Sequence, residues 1–252
     1  DDDPHLDFSL THWAYNRGKK SVVLDIELEQ DREKFLSLVQ SADILFEDCQ
    51  PGYLESLGLS PLDLANTNPQ IIHASITPYG LTGPRSNWLG TDLTAVAGSS
   101  FLYASGDADR APLRIGVPHS FLHGAADAAA ASLVALQERN RSGIGQHIDV
   151  SAQESVTIGF PQNVAPMENA LPADRMAGGI RIGGMEIPLL FPCLDGYTIC
   201  VILPGVAFAP FCRRLTDWLE EEGASDENLR SIDWVNIGVQ LFAGEVSFDT
   251  VA

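Results

Sequence analysis

Few residues in this chain are spaced for chemistry. His119, His123 and Asp127 recur at i, i+4 and i+8 in an Ala-rich run, so a helix would put them on one face. Such a face could hold a metal or relay protons; a polar helix face at a subunit contact is the plainer reading, and no metal is expected. Arg17, Lys19 and Lys20 form the one basic cluster. It could meet phosphate groups or simply lie on a solvated surface. The four cysteines, Cys49, Cys193, Cys200 and Cys212, make no CxxC pair, so neither a zinc ribbon nor a disulfide framework is indicated. A reducing, cytoplasmic setting is expected. No GxGxxG loop occurs, so the chain carries no dinucleotide-binding fingerprint.

The elements that must position these residues read as alternating strands and helices. Ser21–Ile26 is short and β-branched and predicts a strand. A helix is predicted over 31–42, with Phe35, Leu38 and Val39 facing the core. Strands follow at 44–47 and 70–76. Between them Ser60-Pro61-Leu62-Asp63 carries a Ser cap, a Pro in the first turn and an acid at the third position. A Gly/Pro-punctuated loop spans 77–84. A long helix is predicted over His119–Arg139, then a strand at 146–150 and a helix from Ser151 to about 165. This alternation argues for βαβ units and a parallel sheet.

The texture then changes. Gly178-Gly179 and Gly183-Gly184 bracket a segment expected to be flexible, and a domain boundary is placed within 166–185. Leu189 to Ile202, turning at Asp195-Gly196, predicts a β-hairpin. An amphipathic helix should follow with Phe208, Phe211, Cys212, Leu215, Trp218 and Leu219 spaced for one buried face. The domains expected are residues 1–165, a linker at 166–185, and the start of a smaller domain at 186–252. A first βαβ unit and a natural finish are both missing, so the chain reads as a piece of something longer.

The chain has 252 residues, 45% of them hydrophobic, and a net charge of −19. That charge repels nucleic-acid backbones, so no nucleic-acid partner is expected. No apolar run is long enough to span a bilayer, and the Asp-rich start is not a signal peptide.

Several segments, taken in order, resemble one family. They are Asn16-Arg17-Gly18-Lys19-Lys20-Ser21; Ala42 to Asp48 with Pro51-Gly52-Tyr53-Leu54; Asn68-Pro69-Gln70-Ile71-Ile72; and Tyr79-Gly80-Leu81-Thr82-Gly83-Pro84. Gly90-Thr91-Asp92, Gly116-Val117-Pro118, the run Arg141–Ser151 and Phe191–Tyr197 complete the set. Together they resemble the family III CoA-transferases, the CaiB/BaiF group.

The resemblance implies an α/β fold: an open Rossmann-like parallel sheet in a large domain, a smaller α+β domain, and an interlocked dimer. It implies coenzyme A or acyl-CoA as substrate, with a carboxylic acid as the other reactant. It implies neither a nicotinamide nor a flavin cofactor, consistent with the missing GxGxxG loop. Two protomers, or two unlike homologous subunits, would associate. Arg17, Lys20, Asp48, Tyr79, Gly80, Gly83 and Thr91 match positions around CoA and its acyl group.

In that family an aspartate attacks the acyl-CoA thioester. It lies at the start of the long helix, five residues after the glycine matching Gly116, and here that position is Phe121. Phenylalanine is no nucleophile, and neither Ser120 nor Leu122 forms acyl anhydrides. Asp92 is the best alternative acid; it could equally cap the helix that follows it. The racemases that share this fold need a histidine before the motif aspartate and the later acid. Thr91 and Phe121 occupy those positions, so racemase chemistry is not expected. Gln50 and Ser56 stand where the family often has CoA-binding arginines. Three readings stay open: a chain acting within an assembly that supplies the acid, an active transferase using Asp92, or a non-catalytic scaffold.

Overall fold

The computed structural model describes residues 9–107, 109–160, 175, 178–182, 185–201, 205–225 and 227–245. In chain order the elements are α1 (Leu10–Tyr15), α2 (Glu29–Ser41), β1 (Ile44–Glu47), α3 (Tyr53–Ser56), α4 (Pro61–Thr67) and β2 (Ile72–Thr77). Next come α5 (Asp92–Gly98), α6 (Phe101–Ala104), α7 (His119–Ser142), β3 (His147–Ser151) and α8 (Ala152–Gly159). The last are β4 (Gly179–Ile182), β5 (Met185–Pro188), β6 (Leu190–Cys193), β7 (Gly196–Ile199), α9 (Ala209–Glu221), α10 (Glu227–Ser231) and α11 (Ile237–Phe242). The chain divides into two compact units, residues 1–77 with 126–150, and residues 78–125 with 151–252.

The first unit is built on a sheet of order β1-β2-β3. β1 and β2 pair in parallel, Ile44 opposite Ile72. Val39, Leu54, Leu59, Leu64 and Ile71 form one core cluster with Phe35 and Leu45 packed against it. Ala74, Ala128 and Val150 form another with Ile76 and Ile148. The small Ala128 of α7 lets that helix lie close to β2. α4 starts as its sequence dictates: Ser60 and Asp63 cap each other reciprocally, and Pro61 opens the helix. Gly145 leads into β3 and donates its N–H to the Pro69 carbonyl at 2.9 Å. A Cβ at this position would run into the Ile71 carbonyl, so only glycine permits the approach.

The second unit holds α5, α6, the first turns of α7, and α8. It also holds the two antiparallel hairpins β4-β5 and β6-β7 and a small core of Ala209, Cys212, Trp234, Ile237 and Leu241. Among the described residues no helix is long and apolar enough to cross a membrane.

Three expectations need correction. Ser21–Ile26 forms no strand: Val22 and Val23 are 66% and 94% exposed, and Leu28 N–H turns back to the Asp25 carbonyl at 2.9 Å. β-branched residues supply propensity, but a strand also needs an edge to pair with, and no described strand runs beside this one. On α2, Val39 is buried but Leu38 is 51% exposed. On α9, Cys212 of the expected face is buried, together with Ala209 and Thr216, while Phe208, Phe211 and Trp218 of that face are exposed. The helix meets its neighbours through small side chains, which permit the closer contact, so the stripe of large rings lies one residue round from the buried line. Within the stretch expected to be flexible, Gly179–Ile182 pairs antiparallel with Met185–Pro188. Most of the 166–185 stretch, and the predicted helix beyond 160, lie outside the described residues.

Candidate functional site

In the second unit, the turn before α5 sets the geometry. Thr91 Oγ1 accepts from the Thr94 N–H at 3.3 Å, and Thr94 Oγ1 accepts from the Thr91 N–H at 2.8 Å, a reciprocal cap. Tyr79 reaches in from the preceding loop and donates its hydroxyl to Thr94 Oγ1 at 3.0 Å. A Cβ on Gly90 would strike the Pro78 side chain and the Tyr79 ring, so the loop and the start of α5 close on each other only through glycine. Gly80 and Gly83 hold φ of +82° and +91°, a left-handed conformation that favours glycine. That turn requirement alone accounts for both residues.

Asp92, the first residue of α5, is 9% exposed. Its Oδ1 accepts from both the N–H and the hydroxyl of Ser120, each at 2.9 Å. Its Oδ2 lies 3.6 Å from the Arg114 guanidinium. Ser120 is fully buried in the first turn of α7. Asp92 therefore satisfies an orphan N–H at the start of α7 while sitting at the positive end of α5. Oδ1 is thus doubly engaged, while Oδ2 faces Arg114. Phe121, the next residue along, is 39% exposed and offers no acid.

His119 and His123 do meet, with ring centroids 4.6 Å apart. Phe101 stacks on His119 at 5.2 Å and on Phe160 at 3.9 Å. Burial, with His123 nearby, lowers the pKa of His119 below its ordinary value. Its Nε2 is buried with no hydrogen-bond partner among the described residues. Asp127 is exposed on the same helix. Among the described residues no group of three or more His, Cys, Asp or Glu could hold a metal ion.

A cleft of about 400 Å³ opens beside the loop, lined by Tyr79, Thr82, Pro84, Arg85, Ser151, Gln153 and Glu154. Gln153 fixes its floor: the amide Nε2 donates to the Gly98 carbonyl at 2.9 Å, and the backbone N–H donates to the Pro78 carbonyl at 3.0 Å.

Arg17, Lys20 and Asp48 belong to the first unit, and all three are exposed. Tyr79, Gly80, Gly83, Thr91 and Asp92 belong to the second. Beside Asp48 lies a polar cluster that the sequence reading missed. Ser75 Oγ is 2.9 Å from His147 Nε2, and His73 Nε2 is 3.8 Å from Glu47. Glu47 Oε2 accepts the Cys49 N–H at 2.7 Å. Burial, then the Glu47 charge, pushes the Cys49 thiol up to about 11, so it is no ready thiolate. The signal was present: His73, Ser75 and Thr77 alternate along β2, putting polar side chains on one sheet face.

An open α/β polypeptide, with a glycine-shaped loop and cleft at the start of a short helix, is the class of molecule these features define. The family model for CoA-transferase family III matches residues 7–243, and the chain belongs to that family. It is 37% identical over 241 residues to the succinyl-CoA:(R)-benzylsuccinate CoA-transferase subunit BbsE of Thauera aromatica, covering 92% of this chain and 56% of that protein. It is 39% identical over 158 residues to the acetyl-CoA:oxalate CoA-transferase of Acetobacter aceti, covering 62% of this chain and 40% of that one. The fold is similar to that of a CaiB/BaiF family protein from Brucella suis, with a TM-score of 0.68 at 26% identity, covering 90% of this chain and 58% of that one. The chain spans about half the length of the curated relatives it matches.

Proposed function

We propose that this chain is part of an acyl-CoA:carboxylate CoA-transferase that moves CoA between organic acids, and that the nucleophilic acid comes from elsewhere in the assembly. One observation carries the reading. The family's nucleophile position is Phe121, and the nearby acid, Asp92, is committed to holding the start of α7. A homologous partner subunit would complete the site; the relative from Thauera aromatica is itself named as a subunit.

In the complete enzyme, an aspartate carboxylate attacks the donor thioester carbonyl and releases CoA thiolate, leaving a mixed anhydride. The thiolate then attacks the aspartyl carbonyl and frees the donor acid. The acceptor carboxylate takes the acyl position in the same two steps, reversed, and leaves as its CoA thioester. In this scheme Arg17 and Lys20 meet CoA phosphates, Asp48 lies beside the CoA, and Tyr79, Gly80, Gly83 and Thr91 flank the acyl group. The proposed setting is cytoplasmic, and the assembly is a dimer of like or unlike homologous chains, divided at 166–185 into larger and smaller domains.

The test is CoA transfer between two acids, followed chromatographically, for the purified protein alone and with its homologous partner. Transfer only in the mixture supports the reading. Turnover by a pure homo-oligomer of this chain overturns it.

A further inference from the structure

We infer that the cleft between the 79–85 loop and the start of α8 is a pocket for the carboxylate of a small organic acid, with Arg85 as the anion contact and Glu154 as the group that limits the ligand to one negative charge there. This inference rests on the CoA-transferase reading and narrows its substrate class.

The chain has 15 Lys and Arg against 34 Asp and Glu. Arg85 makes no ion pair among the described residues. Its guanidinium lies over the Trp88 ring, 5.5 Å from the centroid, and Trp88 is braced edge-on by Tyr79 at 6.2 Å. A guanidinium held against an aromatic ring keeps N–H donors available, and an arginine can receive a carboxylate bidentately. Trp88 is thus a positioning residue for Arg85.

The remaining walls fit an acid with a compact, partly apolar body. Tyr79 and Pro84 supply apolar surface, and Thr82 and Ser151 supply hydroxyls. The volume of about 400 Å³ lies in the range of small-molecule sites. Gln153 is already spent on the Gly98 carbonyl. Glu154 is the one acid in the wall. It would repel a dianion and tolerate a monoanion whose charge sits at Arg85. The cleft is wired to the candidate site, because the Tyr79 hydroxyl bonds Thr94, which caps the turn carrying Thr91 and Asp92.

Binding is read by calorimetry on the full protein, with phenylacetate as monoanion and succinate as dianion. Phenylacetate should bind, and Arg85→Gln should weaken it about tenfold or more, the loss of one well-made charge-assisted contact. Arg85→Lys should fall between, since a point charge replaces a fork. Glu154→Gln should leave phenylacetate unchanged or tighter, and should improve succinate more. Far-ultraviolet circular dichroism checks that each variant is folded. Undetectable phenylacetate binding, equal binding by folded Arg85→Gln, or loss of binding in Glu154→Gln each overturns the inference. The readout needs no turnover. Binding through Arg85 without CoA transfer by any assembly would sink the enzyme reading and keep the pocket. Transfer by the assembly with acid binding indifferent to Arg85 would do the reverse.

Discussion

Asp92 is the residue whose replacement separates the competing accounts. In Asp92→Asn the amide oxygen can still accept from the Ser120 N–H and hydroxyl, now at 2.9 Å from Asp92 Oδ1, but the charge facing α5, α7 and Arg114 is gone. The loss should be about 1 kcal/mol, the scale of a helix-terminus charge effect. Asp92→Ala leaves the Ser120 N–H and hydroxyl without their acceptor at a fully buried residue. It should cost about 2–4 kcal/mol, one lost cap plus one unsatisfied buried group. Urea denaturation of both variants measures these values, and CoA transfer by the assembled enzyme is measured alongside. The capping account expects graded stability, Asn above Ala, with turnover kept in folded Asp92→Asn. Abolished turnover in Asp92→Asn at undiminished stability would refute it and make Asp92 the nucleophile.

Other outcomes follow from the same geometry. Gly145→Ala would drive a Cβ into the Ile71 carbonyl, a backbone atom that cannot swing aside. It should destabilise the protein by about 3 kcal/mol or block folding, seen as a lower melting temperature or insoluble expression. Stability should also fall in acid. Burial of the inward ring edge, then the neighbouring His73, lowers the pKa of His147 below its ordinary 6.5. The folded state therefore binds fewer protons than the unfolded one just below pH 6.5. The contribution is complete above about pH 6.5 and is lost as pH falls through the lowered value. Urea midpoints measured from pH 8 to pH 5 should show this decline, and His147→Gln should flatten it. A second loss should appear at lower pH. Burial raises Glu47, but the polar His73 and Ser75 beside it, with the Cys49 N–H, outweigh it and hold the carboxyl below 4.5. Its contribution disappears only as pH falls through that lowered value.

Much of the first unit was legible because its signals are local. Ser60 and Asp63 announce a helix start within four residues, a short apolar run marks β1, and alternating apolar and polar residues mark β2. The hairpin expected around Asp195-Gly196 forms as β6-β7, but Cys193 pairs with Gly196, so the turn residues are Leu194 and Asp195, one position earlier than expected. What escaped is non-local. The 21–26 segment has strand propensity but, among the described residues, no partner edge. The rotated face of α9 depends on which neighbour arrives, and here that neighbour presents Trp234, Ile237 and Leu241 to small residues. Asp92 was read as a cap for the helix it begins, yet its hydrogen bonds go to Ser120, 28 residues away. No spacing rule reaches that far. Phe121, by contrast, was read by counting along a family pattern, and its consequence is chemical rather than geometric.

That consequence is tested most directly by trapping the covalent intermediate. The natively purified assembly is incubated with acyl-CoA, quenched with hydroxylamine or borohydride, and digested for mass spectrometry. The expected result is no modified carboxylate between residues 1 and 252, at Asp92 or elsewhere, with the adduct on an aspartate of a homologous partner or of further chain outside this sequence. A modified carboxylate within these residues would contradict the central claim, because the nucleophile would then reside here.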